Sequence, residues 1–70
     1  MPKFRLTIID VNDNRYESDI YESPSLTSIQ IDFSRELATA NTLLFPNGEV
    51  VLTRFVVAFQ AIEVKDDEDR

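Results

Sequence analysis

The segment 43–64, LLFPNGEVVLTRFVVAFQAIEV, limits the possible folds more than any other part of the chain. Its apolar residues are largely β-branched or aromatic, which favours strands. The only glycine, Gly48, follows Asn47 between two of these apolar runs. An Asn-Gly pair in this setting predicts a β-hairpin with a two-residue type I′ turn. The predicted pairs are Phe45 with Val50, Leu44 with Val51, and Leu43 with Leu52.

After a predicted bend at Thr53-Arg54, the run 55–64 is apolar on both faces of a strand. One predicted face carries Phe55, Val57, Phe59 and Ala61, and the other carries Val56, Ala58, Ile62 and Val64. Strands that are apolar on both faces are usually covered on both sides. One helix covers one side of a sheet, so we expect either a sheet that curls on itself or a second molecule.

The N-terminal part of the chain predicts another hairpin. Apolar and polar residues alternate over 3–11 and again over 15–21, as they do in strands with one buried face. A three-residue loop, 12–14, would place Val11 opposite Arg15, and its third position, Asn14, would take a left-handed backbone. In this register Leu6 lies opposite Ile20, and Arg5 lies opposite Tyr21.

The segment 23–41 permits two interpretations. Ser23 as N-cap with Pro24 at the first helical position predicts a helix. Its apolar stripe would consist of Leu26, Ile29, Phe33, Leu37 and Ala40. Residues 29–33 also alternate as a strand would, but the helix explains a longer segment, so we expect a helix here.

The predicted fold is a small single α+β domain of order ββαβββ, with one helix packed on a curved, mostly antiparallel sheet. A small all-β barrel-like domain is the alternative. With 70 residues and no cysteine, the chain has no disulfide to stabilise a small core. We expect the domain to span residues 1–64 and residues 65–70, KDDEDR, to form an acidic, disordered tail.

Charge and composition exclude several functions. Thirteen acidic and seven basic residues give a net charge of −6, which disfavours direct binding to nucleic acid or to anionic membranes. No apolar run is long enough for a transmembrane helix or a signal sequence, so we expect a soluble cytoplasmic protein. Without histidine or cysteine the commonest catalytic base and nucleophile are missing, and we expect neither an enzyme nor a cofactor.

One stretch partly matches a calcium-binding loop. Asp10, Asn12 and Asn14 have the D-x-N-x-N spacing of its first half. The sixth position, however, is Arg15 instead of glycine, and the twelfth is Tyr21 instead of glutamate. We therefore interpret these residues as an ordinary hairpin turn and predict no metal site.

Binding to another protein is the function that the sequence favours. On the outward face of the first hairpin we expect five partner-binding residues, with Arg5 stacked on an exposed Tyr21: Arg5, Asp13, Glu17, Asp19 and Tyr21. In size and charge alone the chain resembles small acidic accessory or inhibitor proteins of phages and mobile elements, which suggests a basic partner surface and possible mimicry of nucleic acid. The alternative is an assembly subunit that forms a homodimer or small homo-oligomer through its apolar strands.

Overall fold

The structure, a computed structural model, describes residues 1–65. One helix and five strands follow in the predicted order, which confirms the α+β class over the all-β alternative. The elements are β1 (Lys3–Asp10), β2 (Arg15–Glu22), α1 (Leu26–Thr39), β3 (Thr42–Leu44), β4 (Val50–Leu52) and β5 (Val56–Val64), with a 3-10 turn at Thr53–Phe55 before β5. Apart from Lys65, the predicted tail lies outside the described residues.

The strands form two antiparallel sheets. β1 is the central strand of a three-stranded sheet of order β2-β1-β5, and β3 pairs with β4 in a separate hairpin. Phe4, Leu6 and Ile8 alternate along β1 and define the inner face of the larger sheet, which lies toward α1. Arg5 and Thr7 lie on its outer face.

The core gathers on this inner face. It consists of Phe4, Leu6, Ile8, Ile29, Leu43, Phe45 and Val51. Fully burying a side chain of this size contributes roughly 1.5–3 kcal/mol. β1, α1 and the β3–β4 hairpin all supply members, so the small hairpin is fixed to the larger sheet through the same core.

The helix is present where it was predicted, but it begins later. Ser25, not Ser23, is the N-cap, and its side chain accepts a hydrogen bond from the Ser28 backbone N–H at 3.1 Å. Ser23 is buried instead and its hydroxyl donates to the Ser25 carbonyl. Within residues 1–65 no helix has the length and the apolar character that a membrane crossing requires.

The predicted register of the first hairpin is wrong because its turn lies one residue earlier. The loop is 11–13, closed by Asp10 N–H donating to the Asn14 carbonyl at 3.0 Å, and Asp13 rather than Asn14 has the positive φ of 65°. A β-bulge at Ser18 and Asp19, opposite Leu6, then shifts the pairing a second time. Beyond it Tyr21 pairs with Phe4.

The second hairpin also has a three-residue loop, 46–48, instead of the predicted two-residue turn. Phe45 pairs with Glu49 through a 2.9 Å hydrogen bond, and Gly48 has a φ of 92°. Pro46 explains the difference, since its fixed φ suits the second position of a type I turn, which is followed here by a left-handed residue. Leu43 therefore lies opposite Val51, not opposite Leu52.

A second bulge, in β5, alters the predicted faces of that strand. The pairing with β1 shifts between Ala58 and Val56, which leaves Val57 as the extra residue. Phe59 and Ala61 pack against the core, and Val56, which was predicted on the other face, joins them. Val57 was predicted to share a face with Phe59 but is 63% exposed, so that assignment is wrong.

Phe59 links β5 to the helix, and its removal should be costly. Its ring meets Phe33 edge to face with centroids 4.8 Å apart. Phe59→Ala should lower the free energy of unfolding by about 2 kcal/mol or more, because it deletes buried area and an aromatic pair. Val57→Ala in the same strand is the control and should change it by less than about 0.5 kcal/mol. Urea denaturation measures both, and equal losses would contradict the assigned faces.

Candidate partner-binding cleft

The structure separates the two residues that were expected to stack. Arg5 lies on the outer face opposite Ile20, whereas Tyr21 lies opposite Phe4 and therefore on the inner face. The predicted Arg5–Tyr21 stack is wrong because it depended on an unbroken register. The cation–π contact described in this structure lies elsewhere, between Arg54 and Phe55, at 5.1 Å.

The other three predicted residues do not share one surface with Tyr21. Asp13 lies in the turn beyond β1, Glu17 pairs with Thr7 on the outer face, and Asp19 belongs to the bulge. All three are exposed. The bulge therefore divides the five residues, and no single binding face contains them.

A cleft that the sequence did not predict opens between the end of β2 and β3. Its volume is about 510 Å³, which falls within the usual range for binding sites. Leu6, Ile8, Ile29, Leu43 and Phe45 form its floor, and Tyr21 and Ser18 line it from β2. We call it the acidic cleft because Glu22, Asp32 and Glu36 belong to its lining. It contains one of the five predicted partner-binding residues, Tyr21.

The cleft exists because the elements above the inner face do not cover all of it. α1 packs toward β5, where Phe33 meets Phe59. The β3–β4 hairpin packs toward the beginning of β2, where the Phe45 and Tyr16 rings stack with centroids 5.4 Å apart. The inner face at the end of β2 lies between these two contacts and is left open.

Three acidic residues, Glu22, Asp32 and Glu36, belong to the lining of the cleft. No lysine or arginine is found in the lining formed by the described residues. Asp32 and Glu36 are exposed, and their carboxylates make no ion pair within the described part of the chain. The acidic residues suit a cationic group of a ligand, and the apolar floor suits an apolar group beside it.

Sequence reasoning missed these acids because it treated the polar side of the helix as solvated. A signal was present in the spacing. Asp32 and Glu36 are four residues apart and follow Ile29 and Phe33 by three, so a helix places them along the border of the apolar stripe. Acidic residues on this border can line any part of the core that the helix leaves uncovered.

The partial calcium motif forms a self-contained turn. Asp10 is buried, and one carboxylate oxygen accepts the backbone N–H groups of Asn12 and Asn14, both at 2.9 Å. The other oxygen accepts the Asn14 amide at 3.1 Å and the Tyr16 hydroxyl at 2.9 Å. Residues 1–65 contain no group of three or more acidic residues arranged to hold a metal ion. Asp10 thus closes the hairpin turn with its side chain.

These hydrogen bonds alter two pKa values. Burial raises the pKa of Asp10, but the hydrogen bonds from Asn14, Tyr16 and Asn12 together outweigh it and lower the pKa below the ordinary value. The pKa of Tyr16 is raised, first by its hydrogen bond to Asp10, then by burial and by the charges of Asp10 and Glu49. The charged carboxylate and the neutral phenol are therefore the forms that the fold favours.

Comparison with known proteins adds no further information about the site. The chain matches no protein-family model, no curated protein and no solved structure.

The Asp10 turn should make stability depend on pH at both extremes. Because the pKa of Asp10 is lower in the folded than in the unfolded protein, Asp10 contributes to stability above its unfolded pKa of about 4. This contribution is lost as the pH falls through the pKa of the folded state. Because the pKa of Tyr16 is higher in the folded than in the unfolded protein, Tyr16 contributes to stability below about pH 10. This contribution is lost as the pH rises through the pKa of the folded state.

Asp10→Asn should therefore destabilise the fold at neutral pH and make acid unfolding less steep. Tyr16→Phe should lessen the loss of stability above pH 10. Urea unfolding across the pH range measures both effects. Asp13→Asn, an exposed acid in the same loop, is the control. An acid profile of Asp10→Asn that matches the wild type would show that the turn does not hold the Asp10 carboxylate as described.

Proposed function

We propose that this protein is a non-enzymatic binding module that holds a basic, partly apolar segment of another protein in the acidic cleft. The observation that supports this proposal is that the cleft combines an apolar floor with three acidic lining residues, Glu22, Asp32 and Glu36. Such a site attracts a cation from a distance and then buries the apolar groups beside it. The attraction mainly speeds encounter, and the buried contacts slow departure.

The charge of the whole chain supports the same choice of partner. A net charge of −6 produces a field that draws basic surfaces and repels nucleic acid and anionic lipid. We therefore propose no direct contact with nucleic acid or membrane, and no cofactor. Within this proposal, a cytoplasmic accessory or inhibitor protein of a phage or mobile element, which occupies a basic surface in place of nucleic acid, is a role consistent with the size and charge of the chain.

A second candidate function is assembly through the outer face of the larger sheet. The observation that favours it is a row across the three strands in which Ile20 and Ile62 flank Arg5. Ile20 is 39% exposed and Ile62 is 47% exposed. No helix covers this face in residues 1–65, so a second copy could bury both isoleucines.

Neutralising the cleft should weaken binding to basic peptides selected by the wild-type protein from a random peptide library. The triple variant E22Q/D32N/E36Q should lose about tenfold or more in affinity for them, because three exposed attractions of about 0.5 kcal/mol each are removed. The control variant D13N/E49Q/E63Q removes the same charge outside the cleft and should retain most of the affinity.

The composition of the selected peptides is itself a test. We expect lysine or arginine together with apolar residues, and affinity that falls as salt rises. Selection of acidic or uncharged peptides, or equal losses in the two variants, would contradict binding in the cleft.

The assembly candidate is tested by native mass spectrometry. If the outer face joins two copies, the wild type should be a dimer, and Ile62→Lys should make it monomeric without loss of fold, because the substitution places a charge in the apolar row. Thr7→Lys adds the same charge to the same face but outside the apolar row, so as a control it should disturb the dimer less than Ile62→Lys does. A wild-type monomer at concentrations of about 100 μM, well above the dissociation constants of most specific complexes, would remove this candidate.

A further inference from the structure

We infer that the basic segment binds in extended form, as an additional strand on the free edge of β2 beside the acidic cleft. This inference rests on the proposed function and specifies the shape of the partner. Main-chain hydrogen bonds to β2 would hold the segment, and its alternate side chains would enter the cleft. Strand addition of this kind is an established way in which sheets recognise peptides.

The position of β2 provides the edge. β2 ends the three-stranded sheet and pairs only with β1 in the described part of the chain. β3, on the other side of the cleft, pairs only with β4. β2 and β3 both line the cleft, and the added strand would hydrogen-bond to the edge of β2, with β3 on the other side of the cleft.

The charge of β2 selects the partner and excludes a second copy. β2 carries Glu17, Asp19 and Glu22 against a single Arg15, which gives −2. If two copies paired through β2, two strands that each carry a charge of −2 would lie side by side, and like charges across a strand pair are destabilising. Charged side chains on an edge strand are a known protection against self-pairing. A strand that carries lysine or arginine meets no such barrier.

The length of the edge limits the pairing. The bulge at Ser18 and Asp19 interrupts the strand on one side, and Pro24, which has no N–H to donate, ends it on the other. The regular part of the edge is therefore 20–22. Tyr21, on the inner face and 49% exposed, is the residue of β2 over which an apolar side chain of the added strand would pack.

The test compares peptides of the same charge but different shape. The first probe is a blocked peptide of about seven residues, a typical strand length, that alternates lysine and valine. Two further probes carry N-methyl groups on one or the other set of alternate amides. Because alternate amides of a strand point to opposite edges, one N-methylated probe should bind at least about tenfold more weakly than the parent, and the other should bind more tightly than the first.

A fourth probe separates this inference from the proposed function. It is an amphipathic lysine–leucine helix of the same net charge. Binding of the helix in the cleft, with equal affinities for the two N-methylated peptides, would overturn strand addition and leave the proposed function standing. If neither the strand nor the helix bound, with or without N-methylation, both would be overturned.

Charge reversal on β2 provides an independent check. E22K, in the regular part of the edge, should weaken binding of the lysine–valine probe and strengthen binding of a matching peptide that alternates glutamate and valine. E63K is the matched control and should leave the preference for the lysine peptide intact. The same preference in both variants would overturn the role of the β2 edge.

Discussion

The packing of Phe4, Leu6 and Ile8 on one face of β1 is the interaction on which the rest of the fold depends. β1 is the central strand, and it carries the two side chains that are most completely buried, Leu6 and Ile8. β2 and β5 pair with its two edges, and α1 and the β3–β4 hairpin close over its inner face. A chain of this length buries only a small core, and each element takes its position by contact with this strand or with the side chains on its inner face.

The same constraint produces the proposed site. One helix of 14 residues and a hairpin with two three-residue strands must cover a sheet of three long strands. They meet it at the Phe33–Phe59 and Tyr16–Phe45 contacts and leave the end of β2 uncovered. The floor of this opening is apolar and its lining includes three acidic residues. It lies beside the edge of β2 that is unpaired in the described part of the chain. Incomplete coverage of the core thus supplies the proposed binding surface, and in this proposal the charge of the chain determines which partner can use it.

Periodicity was sufficient to predict the order of the elements, because it reports which residues share a face over several positions. It could not predict one-residue events. The bulges at Ser18–Asp19 and Val57 reverse the parity of everything beyond them, and bulges have no strong sequence signal when no glycine marks them. The site was therefore missed for a physical reason. A register without the bulge places Tyr21 on the outer face, which directs attention away from the cleft.

A solution NMR titration with the lysine–valine peptide tests the central claim most directly. The account predicts that backbone amide shifts change in β2 near Tyr21, in α1 near Asp32 and Glu36, and in β3. Amides of the outer face of β5, such as that of Ile62, should change little. Shifts concentrated on the outer face, with β3 and the helix unaffected, would contradict the claim that the open inner face of the sheet is where this protein binds its partner.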